Sequence, residues 1–143
     1  MLSTAMSLLF SFMFSLLLGL HPAIRPAEAD ITQTVGTSLR SGDAGQLSAR
    51  FAKTIELVID TEKIDFKALQ ATHAELILRS FFRKYPPHSF QFVYRGSSDH
   101  LQYSTGTYET NGQVYSVYVL IRQTTNHQYA INALHFRREK KDV

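Results

Sequence analysis

Five histidines beyond residue 29, His73, His88, His100, His127 and His135, are the first places to look for metal binding or proton transfer. A histidine metal site needs imidazoles converging from one element, for example at i and i+4 of a helix. No pair of these five has such spacing on one recognisable element. His100 follows Asp99 in a polar turn, where aspartate is expected for its backbone chemistry alone. The chain has no cysteine, which excludes disulfides, thiolate metal sites, cysteine nucleophiles and the lipidated cysteine of a bacterial lipoprotein. Phosphate loops, dinucleotide fingerprints, nucleophile elbows and zinc-binding helix motifs are also missing from the sequence.

The other chemistry open to these residue types is acid–base work by a phenol and a carboxylate in an apolar pocket, where burial drives two pKa values apart. Tyr108 and Tyr115 can turn hydroxyls inward, but no acid clearly joins them. Glu56 falls on the outer parity of its strand and Glu109 lies beside a turn. The sequence therefore predicts no catalytic residue, no metal site and no cofactor.

The stretch Gly106 to Phe136 must position whatever site exists. It is rich in Tyr, Val, Thr, Ile and Phe, which suit a pleated, half-buried surface. Asn111-Gly112 predicts a type I′ hairpin turn with Tyr108 opposite Tyr115, Gly106 opposite Val117 and Ser104 opposite Val119. A second turn tipped by Thr125-Asn126 would place Val117 opposite Leu134 and Tyr115 opposite Phe136. Gly106 inside a strand predicts a bulge or bend.

Upstream, Leu8 to Leu20 is an apolar run too short for a comfortable membrane span, and Ala27-Glu28-Ala29 has the small-x-small pattern of a cleavage site. Residues 1–29 are read as a signal peptide, with an uncleaved anchor as the alternative because Met1 to Ser7 carries no Lys or Arg. Residues 30–137 form one domain and residues 138–143 a basic tail. The expected location is the periplasm or the extracellular space, with no stable membrane span after cleavage. The formal charge of +3 is too small to imply nucleic acid, and four of the cations (Arg137, Arg138, Lys140, Lys141) cluster at the carboxyl terminus, read as solvated.

Within the domain, Asp30 is expected to cap a short helix with Ile31, Val35 and Leu39 on one stripe, ended by Gly42. Asp43 starts a second short helix with Leu47 and Phe51 inward. Strands Thr54–Ile59 and Ile64–Leu69 flank a polar turn at Asp60–Lys63, with Ile64, Phe66 and Ala68 on one face. Thr72-His73-Ala74-Glu75 reads as a capping box before a helix whose stripe is Ala74, Ile77, Leu78, Phe81, Phe82 and Tyr85, stopped by Pro86-Pro87. A strand Ser89–Arg95 and a turn Gly96–Asp99 complete the series.

Strand parity assigns Tyr108, Tyr115, Val117, Val119, Ile121, Leu134 and Phe136 to a core face under the Phe81/Phe82 helix. The opposite face receives Tyr103, Tyr118, Leu120, Tyr129, Ile131 and His135, a composition typical of interfaces. A one-residue slip would exchange the faces.

This α+β order of helix, helix, hairpin, long helix and curved antiparallel sheet resembles the nuclear transport factor 2-like, or cystatin-like, cone. Leu39-Arg40-Ser41-Gly42-Asp43-Ala44, Thr54-Ile55-Glu56-Leu57, Phe81-Phe82 with Pro86-Pro87-His88-Ser89-Phe90, Gln102-Tyr103 with Gly106, Asn111-Gly112 and Val117-Tyr118 resemble a domain-of-unknown-function family of small secreted Gram-negative bacterial proteins with that fold. These are caps, turns and core positions, so the resemblance implies a fold and carries over no catalytic residue. It also implies pairing through the outer sheet face, as proteins of this fold often do. The function expected is that of an exported, non-catalytic envelope protein acting as a homodimer or by binding a protein partner. The alternatives are a binder of a small apolar ligand in the cone and a lyase- or isomerase-like enzyme.

Overall fold

The computed structural model describes residues 26–140. Residues 1–25 of the expected signal peptide and the last three residues of the tail lie outside the described residues. Helix α1 (Pro26–Ser41) forms because Ile31, Val35 and Leu39 recur at one-turn intervals and bury completely. It ends where Gly42 enters the left-handed region at φ +67°, letting the Asp43 N–H reach back to the Ser38 carbonyl at 2.9 Å. Asp30 does not cap this helix. It lies inside it, and its carboxylate accepts a 2.6 Å hydrogen bond from Arg50. Asp43 does cap the short α2 (Ala44–Ser48), accepting from the Gln46 N–H. Leu47 points into the core, while Phe51 already belongs to the next strand.

Strand β1 (Phe51–Ile59) turns through a 3₁₀ segment, Asp60–Glu62, and returns as β2 (Ile64–Gln70). Lys67 and Ala68 together oppose Glu56, so β2 carries a bulge. That bulge puts Leu69, in place of the expected Ala68, opposite buried Ile55. Helix α3 (Ala71–Lys84) follows at once, with Gln70 as its cap. The expected capping box does not form. Pairing with β1 holds the chain extended as far as Gln70, so Thr72 is already inside the first helical turn. Glu75 instead pairs with Arg79 one turn ahead, at 2.6 Å.

Strands β3 (Ser89–Ser98), β4 (Leu101–Thr110), β5 (Gln113–Gln123) and β6 (Tyr129–Arg138) complete a six-stranded sheet in the order β2-β1-β6-β5-β4-β3. Every neighbouring pair is antiparallel except β1 and β6, which run parallel, so the sheet is mixed where an antiparallel one was expected. The β4–β5 hairpin has the predicted register. Its turn is not type I′, because only Gly112 takes a positive φ, +70°. Strand β3 runs through the expected turn at Gly96, and the chain reverses at Asp99 and His100. Gly96 is small for a different reason: a Cβ there would stand 2.5 Å from the Tyr103 ring.

Opposite Gly106, β3 carries an extra residue, Val93, which bends the sheet. A Cβ on Gly106 would meet the Phe90 ring at 2.5 Å and the Gln91 carbonyl oxygen at 2.7 Å. The curled sheet and the helices form a cone-like nuclear transport factor 2-type fold. At its closed end α3 lies over the sheet, and the rings of Phe81, Phe82, Tyr108, Tyr115 and Phe136 pack with centroids 4.8–6.3 Å apart.

Candidate functional site

Two surfaces could carry function, the outer face of the sheet and a cleft at the open end of the cone. On the outer face, Tyr103, Tyr118, Leu120 and His135 stand where parity put them, each partly exposed. Ile131 and Tyr129 do not. Both are buried in the core cluster, Ile131 completely. Leu120 pairs with Ala133 and Ile121 with Ile131, so Asn132 is an extra residue in β6. This bulge reverses the parity of everything before it and turns Ile131 inward beside Ile121. After it, the pairing is two residues from the expected register, with Val117 opposite Phe136 and Val119 opposite Leu134. A shift of two keeps the faces, which is why His135 stays outside.

Tyr94 joins this face through the β3 bulge, 54% exposed and 6.1 Å from the Tyr103 ring, centroid to centroid. Tyr118 in turn lies 5.3 Å from the His135 ring. At that end the face closes over, and Val58 and Ala133 are buried beside His135. Burial pushes the His135 imidazole below its ordinary range. Glu56, with an oxygen 3.6 Å from Nε2, opposes that shift without overcoming it.

The cleft, about 650 Å³, opens between α1 and strands β3, β4 and β5. Thr32, Gln33, Gly36 and Arg40 line it from the helix. Phe92, Arg95, Gly96, Ser97, Gln102, Ser104 and Ile121 line it from the sheet, together with Tyr103, which the cleft shares with the outer face. Gly36 makes the helix wall thin, since a Cβ there would stand 3.1 Å from Phe92. None of the lining residues is an acid, a histidine or a cysteine. The volume falls in the range of small-molecule sites.

The groups considered for acid–base chemistry lie elsewhere. The Tyr108 hydroxyl donates to the Tyr85 carbonyl, and burial, then the neighbouring Tyr115, raise its pKa far above the usual phenol range. The Tyr115 hydroxyl shares hydrogen bonds with Thr61 at 3.0 Å and Gln113 at 3.1 Å, so each inward phenol is tied to a neutral partner. Glu56 meets Lys67 on the outer side, and Glu109 accepts from Ser89 at the sheet margin. His100 and His127 sit at loop tips and contact Gln123. Among the described residues, no group of three or more His, Asp or Glu side chains is placed to hold a metal ion, and no helix is long and apolar enough to cross a membrane.

Residues 32–137 match the family described as Domain of unknown function (DUF4783). A DUF4783 family protein of Bacteroides uniformis superposes with a TM-score of 0.69 at 18% identity, over 76% of this chain and 97% of that one. A second, from Bacteroides fragilis, gives 0.67 at 21%, over 74% and 96%. A protein of Silicibacter pomeroyi described as NTF-2 like gives 0.58 at 10%, over 79% and 93%. No curated protein matches the chain. At these identities the structural likeness speaks for the fold alone.

Proposed function

Because the chain belongs to the DUF4783 family, a domain of unknown function, we propose its role from the geometry: it is an exported, non-catalytic protein that binds a small ligand in the cleft under α1. The single observation that carries this reading is the cleft itself, about 650 Å³ and lined without one carboxylate, imidazole or thiol. An enzyme of the isomerase or lyase kind needs a proton-transfer group there, and the lining offers none beyond the Tyr103 phenol, whereas a binding protein needs only room and a few fixed polar contacts. Native mass spectrometry of protein recovered from the cell envelope tests it. A small-molecule adduct on the wild type that disappears in Thr32→Trp, which puts an indole into the cleft, is the expected result. Identical spectra for the two proteins would remove the reading.

Export rests on the apolar run Leu8 to Leu20 and on Ala27-Glu28-Ala29. The intact mass of the recovered protein should correspond to a chain beginning at Asp30. A mass that retains residues 1–29 would mean an anchored protein.

One observation favours a second reading, a homodimer through the outer face. Tyr94, Tyr103, Tyr118 and His135 line up across β3 to β6 with large, partly exposed rings. A two-fold contact needs only one such patch, facing its own copy. Tyr118→Glu should then convert a dimer to a monomer in light scattering, and a wild type already monomeric at roughly tens of micromolar would exclude it.

A further inference from the structure

The cleft carries a chemical preference as well as a volume. Arg40 and Arg95 both line it, one from the last turn of α1 and one from β3. Among the described residues neither forms an ion pair with a carboxylate, although Arg50, Lys67, Arg79 and Lys84 all do. Each guanidinium is instead oriented by a neutral group. Arg40 Nε donates to the Phe90 carbonyl at 3.1 Å, which leaves its terminal nitrogens toward Gly36, where a Cβ would come within 3.3 Å. Arg95 lies over the Phe92 ring with its Cζ 4.2 Å from the centroid. Between them the cleft offers Phe92 and Ile121 as apolar wall and Thr32, Ser97 and Gln102 as neutral polar rim.

Resting on the reading of the cleft as a ligand site, we infer that its ligand is a small organic anion: an apolar body against Phe92 and Ile121, with a carboxylate, sulfonate or phosphate head taken by Arg40 and Arg95. The planar guanidinium fork fits such heads and cannot lose its proton, and no acid in the cleft competes for it. Both arginines are pre-oriented before the ligand arrives, which lowers the ordering cost of binding.

Two dyes with one aromatic body separate the charge from the cavity. 8-Anilinonaphthalene-1-sulfonate carries the anionic head, and N-phenyl-1-naphthylamine is the same body without it. Fluorescence titration of the recovered protein should show the sulfonate bound at least about tenfold more tightly than the neutral dye. Arg95→Gln, on an exposed strand position, should bring the sulfonate to the level of the neutral dye and leave the neutral dye unchanged. Arg40→Gln should do the same, with circular dichroism checking that loss of the bond to Phe90 has not unfolded the helix end. Thr32→Trp should abolish binding of both dyes. If Thr32→Trp blocks both but they bind equally to wild type and Arg95→Gln changes neither, the anion preference is wrong and the cleft still binds. If Thr32→Trp blocks neither dye, or wild type binds neither, the preference and the ligand site fall together.

Discussion

The two ends of the cone are built from the same strands and turn out opposite. At the closed end β4, β5 and β6 offer Tyr108, Tyr115 and Phe136 to Phe81 and Phe82 of α3, and rings fill the space completely. A few residues along the same strands, β4 offers Gln102 and Ser104 and β5 offers Ile121 to α1, which answers with Thr32 and Gly36. Thr32 and Gly36 are too small to reach across to Ile121, Gln102 and Ser104, so the open end is hollow. Side-chain size along the strands decides whether each end of such a cone is a core or a cavity.

Truncating the closed end should produce the largest effect. Phe81→Ala should cost about 3–5 kcal/mol in urea unfolding, because an aromatic ring leaves both transfer and cavity penalties. Thr32→Trp at the open end should stay within about 1 kcal/mol of wild type, since it fills space without displacing packed atoms. Equal costs at the two ends would mean that the open end is also packed core and would break the comparison. Next comes Gly106→Ala at the bend between the two ends. Its new methyl meets the Phe90 ring and a backbone carbonyl, and the expected cost is about 1–3 kcal/mol by the same measurement.

Tyr108→Phe should cost roughly 0.5–1.5 kcal/mol by removing the donor to the Tyr85 carbonyl. Burial raises this phenol's pKa in the folded state above its ordinary value of 10.0, so the neutral form is favoured by folding. Its contribution to stability is fully present below about pH 10 and declines as pH rises beyond it. Urea midpoints above pH 10 should therefore fall more steeply for the wild type than for Tyr108→Phe.

The smallest effect belongs to His135 on the outer face. Its imidazole is held below its ordinary value of 6.5 by burial, so folding favours the neutral ring. Stability should be complete above about pH 6.5 and decrease as pH falls through the folded-state pKa. His135→Gln should flatten that decrease in melting temperature, and an unchanged slope would mean that the ring is free to ionise.

How much of this was legible beforehand depended on whether the strands kept a strict period of two. The β4–β5 register, the core stripe of α3 and the stop at Gly42 follow from turn chemistry and periodicity, and they were readable. Gly106 signalled the bend it faces, but the bulges in β2 and β6 carry no such glycine, and each inserts one residue and reverses parity. Asn132 is the costly case, since it moved Tyr129 and Ile131 from the expected outer patch into the core. A signal was present: the large apolar residues of β6 fall on odd positions up to Ile131 and resume at Leu134 and Phe136. A spacing of three inside a strand marks a change of phase. Tyr94 was missed for the same reason, since Val93 is the extra residue before it. A ligand site in the cone was one of the alternatives, but its residues were beyond reach from sequence, because Thr32, Gly36, Arg40 and Arg95 form no pattern until the fold sets them across one gap.

Chemical-shift mapping with ¹⁵N-labelled protein and 8-anilinonaphthalene-1-sulfonate tests the central claim, that the open end is the binding site, most directly. Amide perturbations should centre on Gly36, Arg95, Gly96, Ser97, Ser104 and Ile121. Perturbations centred on Tyr118, Leu120 and His135 instead, or none at saturating dye, would contradict it.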